Sequence, residues 1–164
     1  MLESEITKAL NGQIKMEFFS SYIYLAMAAY FENTNLPGFG HWMHLQSREE
    51  TEHGMRIFRY IIERGGAVDL QGLDTPPKSY KSPLDVFEAA LAHERKVTAS
   101  IDALVELAQS KKDHATEVFL QWFVKEQVEE EANADAIVQM LRLADNTPGA
   151  LFMLDKELGR RGSE

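Results

Sequence analysis

Apolar residues recur at spacings of three and four along most of the 164-residue chain. No stretch alternates apolar and polar residues between turn signals as a strand would, so the pattern predicts an all-helical protein. Glycine and proline mark the breaks, and the predicted helices cover roughly residues 4–33, 39–64, 82–110, 114–144 and 147–159. The fifth helix is too short to be stable alone, so we expect it to dock on the others.

The links between the predicted helices set the topology. Short links near residues 35 and 112 would join antiparallel neighbours, whereas residues 67–82 form a long connection. Sixteen extended residues span about 53–58 Å, which exceeds the roughly 40 Å length of a 27-residue helix. The second and third helices can therefore run parallel. The chain is expected to form a single domain, residues 1–164, that is a four-helix bundle with one long crossover.

Along one face of each of the four long helices runs a row of mostly apolar residues at alternating spacings of three and four, which we call its seam. Each seam is interrupted near its middle by polar side chains. In chain order these are Glu17, Glu50, His53, Glu94, Gln127 and Glu130. Four helices packed side by side would bring them to a similar height in the core. A buried carboxylate is costly unless it is neutralised, paired or bound to metal, and no Lys or Arg lies on these seams. Two divalent cations would balance the four glutamates, so the pattern predicts a dinuclear metal site.

The ligand types narrow the choice of metal. Carboxylates with one imidazole suit iron or manganese, accept zinc and are poor for copper(I), and iron is the best redox-active candidate. Glu50 and His53 are three residues apart, on one helix face, and can bind the same ion. A single seam carboxylate or histidine would indicate an ordinary bundle residue, but four seams interrupted together favour a metal site.

Four further residues lie beside this pattern. Tyr24 follows Glu17 by seven residues on the same face and is either a core tyrosine or a redox or hydrogen-bonding partner of the metals. Glu49, Glu126 and Glu129 are rotated by about 100° from the seams. These three glutamates form either a patch that passes ions or a solvated helix face.

Composition excludes several classes of function. The chain has no cysteine, so thiolate zinc sites, cysteine-ligated iron–sulfur clusters and cysteine nucleophiles are impossible. A net charge of −9 disfavours nucleic acid and anionic lipid as partners. The N-terminal residues lack secretory-signal features and no apolar run is long enough to span a bilayer, so we expect a cytoplasmic protein without membrane contact.

Four segments resemble the non-haem bacterial and archaeal ferritins, and the resemblance extends over essentially the whole chain. They are Glu17 with Tyr24, the stretch REETEH at 48–53, Glu94 after His93, and FLQWFVKEQVEEE at 119–131. The resemblance implies a ferritin-like bundle in which a first iron is held by Glu17, Glu50 and His53. A second iron would be held by Glu50 as a bridge together with Glu94 and Glu130, with Gln127 assisting nearby.

The resemblance also implies features that periodicity does not. A third iron position would use Glu49, Glu126, Glu129 and Glu130. The subunits would assemble as a homo-oligomer, a hollow shell of 24 that stores hydrated ferric oxide.

One departure separates this chain from related di-iron proteins. The general di-iron bundle pairs two Glu-x-x-His segments, whereas the fourth helix here supplies Gln127-x-x-Glu130. The second position therefore lacks an imidazole, which favours iron as a passing substrate over iron as a fixed cofactor. Bacterioferritin would also need a haem-ligating methionine where Glu52 stands, so no haem is expected. Rubrerythrin would need cysteines, and neither a basic tail nor ligands divided between subunits, as in the DNA-binding mini-ferritins, is apparent.

The sequence thus predicts iron storage with a ferroxidase reaction, in which Fe(II) is oxidised by O2 or H2O2 at the di-iron centre. Two alternatives stay open. One is a di-iron carboxylate oxidase that acts on an organic substrate, and the other is a bundle without catalytic function.

Overall fold

The computed structural model describes residues 2–162, whose regular structure is entirely α-helical. The helices are α1 (Ser4–Asn33), α2 (Pro37–Glu63), α3 (Pro83–Ser110), α4 (His114–Ala144) and α5 (Pro148–Leu158). α2 begins two residues earlier than predicted, because Pro37 opens its first turn, where a missing N–H leaves no bond unmade. Within residues 2–162, no helix is both long and apolar enough to cross a membrane.

Two apolar clusters fill the two ends of the bundle and reveal the direction of each helix. One cluster draws on residues 23–31, 39–43, 86–91 and 134–141 of the four long helices. The other draws on residues 2–14, 57–61, 97–108 and 120–123. α1 and α4 therefore run one way and α2 and α3 the other, so the predicted four-helix bundle with a long crossover and a short fifth helix is confirmed.

The crossover follows α1 from one end of the bundle to the other. Near its start, Asn11 Nδ2 donates to the carbonyl of Ala67 at 3.0 Å, and Asn11 Oδ1 accepts from the backbone N–H of Asp69 at 2.8 Å. Near its end, the rings of Tyr80 and Tyr30 meet edge to face with centroids 5.7 Å apart. These contacts anchor a segment that has no helical structure of its own.

α5 docks on the start of α2. The Asp155 carboxylate accepts hydrogen bonds from the backbone N–H groups of Gly38 and Phe39 at 2.8 and 3.0 Å, so it caps a helix whose own N-cap side chain makes no such bond. A Cβ at Gly38 would lie 1.7 Å from the carbonyl oxygen of Asp155. Glycine is therefore required for this close approach, and the docking expected of the fifth helix is found.

Candidate metal centre

The six polar seam side chains lie in one layer of the core, between the two apolar clusters. Each is almost inaccessible, with exposed fractions of 1–6% for Glu17, Glu50, His53, Glu94, Gln127 and Glu130. The layer exists because the seams of α1 to α4 all change from apolar to polar where the antiparallel helices pass each other. Four carboxyl groups are thus buried together.

On the α1–α2 side, three side chains converge. Glu17, Glu50 and His53 each offer one ligand atom, and these atoms all lie within 4.8 Å of one another. Glu17 Oε1 accepts a hydrogen bond from Gln13 Nε2 at 2.8 Å, but Glu17 Oε2 is buried without a partner among residues 2–162. An unpaired buried carboxylate oxygen is costly. A cation between these three groups would satisfy it, so the donor set and its geometry fit a divalent metal ion.

On the α3–α4 side, protein donors hold the carboxylates. Glu94 Oε1 accepts a hydrogen bond from the Tyr24 hydroxyl, and Glu94 Oε2 accepts one from Gln127 Nε2 at 3.1 Å. Gln127 Nε2 also lies 3.3 Å from Thr98 Oγ1. Gln127 therefore acts here as a donor that orients Glu94, and Tyr24 is a hydrogen-bonding partner of the same carboxylate.

A second group of ligand atoms links the core to the surface. His53, Glu126 and Glu130 also offer atoms within 4.8 Å of one another. Glu126 is half-buried and lines an open groove of about 420 Å³ between α2 and α4, which His53 and Trp122 also line. The groove gives the buried layer an opening on the bundle surface.

Three of the predicted carboxylate ligands lie outside both groups. Glu129 is exposed, and Glu49 forms an ion pair of 2.6 Å with Arg161. Glu94 also offers no atom to either group, although it lies in the buried layer. The involvement of Glu49 and Glu129 in a third iron position stays a prediction.

Sequence reasoning missed several residues that orient the carboxylates. Gln13 bonds Glu17, and its own carbonyl oxygen accepts from Ser100 Oγ of α3 at 2.5 Å. Gln46 Nε2 donates to Glu130 Oε2 at 2.6 Å and lies 3.3 Å from Glu50 Oε1. Gln46 stands on the α2 seam and its polarity was a usable signal, whereas Gln13 and Ser100 lie off the seams and gave none.

Burial and mutual repulsion raise the pKa values of the carboxyl groups. Burial, followed by the charge of Glu50, raises the pKa of Glu17 well above its ordinary value, and burial with Glu94 and Glu130 does the same for the pKa of Glu50. Burial also raises the pKa of Glu94, and burial together with Glu94 raises the pKa of Glu130 to about 7. Bound cations would reverse this preference for the neutral forms.

The fold and the layer define a class of protein: four-helix bundles that bind metal ions in the core through glutamates and histidine from facing helices. The family model for the ferritin-like domain matches residues 7–144. This chain belongs to the ferritin family, and that membership supports iron storage as its general role.

Individual relatives agree with this family. The chain is 44% identical over 161 residues to the bacterial non-heme ferritin of Bacteroides fragilis strain 638R, covering 98% of this chain and 100% of that one. It is 37% identical to the protein of the same name from Staphylococcus aureus strain MRSA252, covering 98% and 97%. Among solved structures, an open pore ferritin of the archaeon Archaeoglobus fulgidus is 48% identical, with a TM-score of 0.97 over 98% of this chain and 99% of that one.

Proposed function

We propose that this chain is a ferroxidase subunit that oxidises Fe(II) in its bundle core and delivers Fe(III) to a mineral store inside an oligomeric shell. The observation that carries the proposal is the unpaired, buried Oε2 of Glu17, which lies in the group formed with Glu50 and His53. Iron is the substrate in this reaction. Family membership supports storage, and the buried ligand group supports the oxidation step.

The residues divide between two positions. Glu17 and His53 would hold the first Fe(II), and Glu50 would bridge to the second. Glu94 and Glu130 would hold the second ion, with Tyr24 and Gln127 orienting Glu94. Two bound Fe(II) ions supply two electrons, which with two protons reduce one O2 to H2O2 or one H2O2 to two water molecules. The carboxylates stabilise the higher charge of the Fe(III) product.

The product then needs a route out of the core. Glu126 shares a ligand group with His53 and Glu130 and lies at the groove between α2 and α4. We propose that oxidised iron passes along this groove by way of a third position formed by Glu49, Glu126, Glu129 and Glu130. The two exposed glutamates of that set would act as transient ligands because they are not held in the buried layer.

Rapid mixing of Fe(II) with the protein in air tests the oxidation step. Glu50→Ala removes the proposed bridge, and His53→Ala removes the one imidazole among the proposed ligands. Each should therefore abolish the fast phase of Fe(II) oxidation. Glu63→Ala is the matched control, because Glu63 is an exposed glutamate at the end of the same helix and does not line the groove. Wild-type rates in both Glu50→Ala and His53→Ala would disprove the assignment.

A second experiment tests storage. A shell of 24 subunits of 18.6 kDa would run at about 450 kDa on a sizing column and take up far more than two irons per chain. A small oligomer with about two tightly held irons per chain would instead indicate an oxidase of organic substrates, a function that the family comparisons do not support. The single domain and the cytoplasmic location expected from the sequence stay predictions.

A further inference from the structure

A guanidinium group from outside the four-helix bundle reaches the edge of the carboxylate layer. Arg161 lies in the turn that follows α5, and its side chain is 25% exposed. Its Nη1 donates to Gln46 Oε1 at 2.9 Å and its Nη2 to Glu49 Oε2 at 2.6 Å. The seams of the bundle carry no cation, so Arg161 supplies a positive charge that the seam pattern does not contain.

Gln46 connects this cation to the proposed iron ligands. It is completely buried, and its Nε2 donates to Glu130 Oε2 at 2.6 Å and lies 3.3 Å from Glu50 Oε1. A guanidinium can only donate hydrogen bonds, so the amide carbonyl must face Arg161. The amide N–H groups must then face the two carboxylates. Arg161 and the two carboxylates therefore require the same orientation of the Gln46 amide and hold it from both ends.

The docking of α5 holds Arg161 in this place. Asp155 caps the start of α2, which fixes the helix that precedes Arg161. The carbonyl oxygen of Arg161 lies 2.9 Å from His41 Nε2, and its guanidinium stacks over Trp42 at 4.5 Å from the ring centre. The guanidinium is thus held by its backbone, by an aromatic face and by two acceptors on α2.

We propose that Arg161 is a positioning residue for the second iron: through Gln46 it aligns Glu130, the nearer of the two carboxylates at 2.6 Å against 3.3 Å for Glu50, and its ion pair with Glu49 anchors it while it does so. This inference rests on the proposed function. Without Arg161, the carbonyl end of the Gln46 amide would lose the hydrogen bond that holds it. The N–H groups at the other end would then hold the Glu130 carboxylate less firmly in place. The C-terminal turn is then part of the metal centre rather than only a cover on the bundle.

Titration of the assembled protein with Co(II), whose absorption reports its coordination, tests the proposal. Arg161→Gln should raise the dissociation constant of the second Co(II) ion by about three- to tenfold, the worth of one hydrogen bond. The dissociation constant of the first ion should change by less than about twofold. Arg160→Gln is the matched control, because Arg160 is the adjacent residue and its side chain is 75% exposed, with Glu157 as its one ion-pair partner among residues 2–162. Arg161→Lys, which keeps the charge but not the two-armed geometry, should give an intermediate value.

A second variant tests the route through the amide. Gln46→Leu removes the link but leaves Arg161 its ion pair with Glu49, and it should weaken the second Co(II) to a similar extent. If Arg161 acts through Gln46, the double variant should be no weaker than either single variant. Fully additive losses would show that Arg161 acts by another route and would overturn the proposal.

The remaining outcomes are equally decisive. Equal Co(II) binding by Arg161→Gln and Arg160→Gln would overturn the inference, as would equal weakening of both Co(II) positions. If the wild-type protein itself binds no pair of ions and oxidises no Fe(II), the proposed function fails instead. The two failures are therefore distinguishable.

Discussion

The two sides of the carboxylate layer are built differently. On the α1–α2 side, Glu17, Glu50 and His53 converge, and one oxygen of Glu17 has no partner among residues 2–162. On the α3–α4 side, the oxygens of Glu94 and Glu130 accept hydrogen bonds from protein donors. The first side is arranged for a cation, whereas the second is already stabilised by the protein.

This difference should give the two proposed positions different affinities for a metal ion. A cation on the α1–α2 side gains the Glu17 oxygen that accepts no hydrogen bond from residues 2–162. A cation on the α3–α4 side shares the oxygens of Glu94 and Glu130 with the donors that orient them, Tyr24, Gln46 and Gln127, and it finds no second imidazole among the proposed ligands there. We therefore expect the first position to bind more tightly and the second to release its ion more readily, as a transit site requires.

The largest effect should come from removing the unpaired carboxylate. Glu17→Leu should slow the fast phase of Fe(II) oxidation by about 100-fold, the upper end for loss of metal-site groups. It should also stabilise the chelator-treated protein by about 1–4 kcal/mol, because hydrocarbon replaces a buried carboxyl group that burial disfavours. Stopped-flow absorbance and thermal unfolding measure the two effects. Glu32→Leu, an exposed position on α1, is the control. A destabilised variant with normal oxidation would contradict the comparison.

Glu130 gives the α3–α4 side its own share in the pH dependence of stability, beside the shares of Glu17 and Glu50, whose pKa values are also raised. The pKa of Glu130 is about 7 in the folded protein against an ordinary value of 4.5. Between these pH values the folded form holds a proton that the unfolded chain has released. The chelator-treated protein should therefore lose up to a few kcal/mol as pH rises through this window, with no further loss from this group above it.

Melting temperatures at pH 5, 6 and 7 measure this dependence. Glu130→Gln cannot ionise and should reduce the fall in melting temperature with pH without abolishing it, because Glu17 and Glu50 also have raised pKa values. Added Zn(II) should reverse the trend by favouring the charged carboxylates. A slope unchanged in Glu130→Gln would place the titration elsewhere.

The difference in metal affinity between the two positions should become smaller when an imidazole is added to the α3–α4 side. Gln127→His would place a nitrogen ligand on α4, three residues before Glu130. It should raise the affinity for the second Co(II) ion by about tenfold, a size typical of changes near a metal. The first Co(II) should be unaffected, and iron should leave more slowly after oxidation. Anaerobic titration and the rate of iron release check both results. A higher Co(II) affinity at the first position alone would mean that residue 127 does not face the second position.

The smallest effect is expected at the tyrosine. Tyr24→Phe removes the donor to Glu94 and should weaken the second Co(II) by about three- to tenfold, the worth of one hydrogen bond. Tyr22→Phe, at a tyrosine that is 45% exposed on the same helix, is the control. An effect on the first position, or a larger loss of oxidation than of binding, would indicate a redox role for Tyr24 instead.

Much of this architecture could be predicted because it depends on local periodicity. The seam of α2, from Met43 through Glu50 to Tyr60, is read directly from spacing, and every predicted member of it is buried. The crossover followed from the length of residues 67–82 alone. The predicted start of α2 was two residues too late, because proline occurs both at helix starts and at helix breaks and Pro37 was assigned to a break.

By itself, the sequence determined the helices, their directions and the presence of carboxylates at one height, since each depends on residue order within one helix or on the length of one link. Only the tertiary structure decided which oxygen stays unpaired and which donors orient the others. Ser100 meets Gln13 from 87 positions away, and Arg161 meets Gln46 from 115. Such contacts depend on how whole helices dock, here through the close approach at Gly38, and no local spacing encodes that distance.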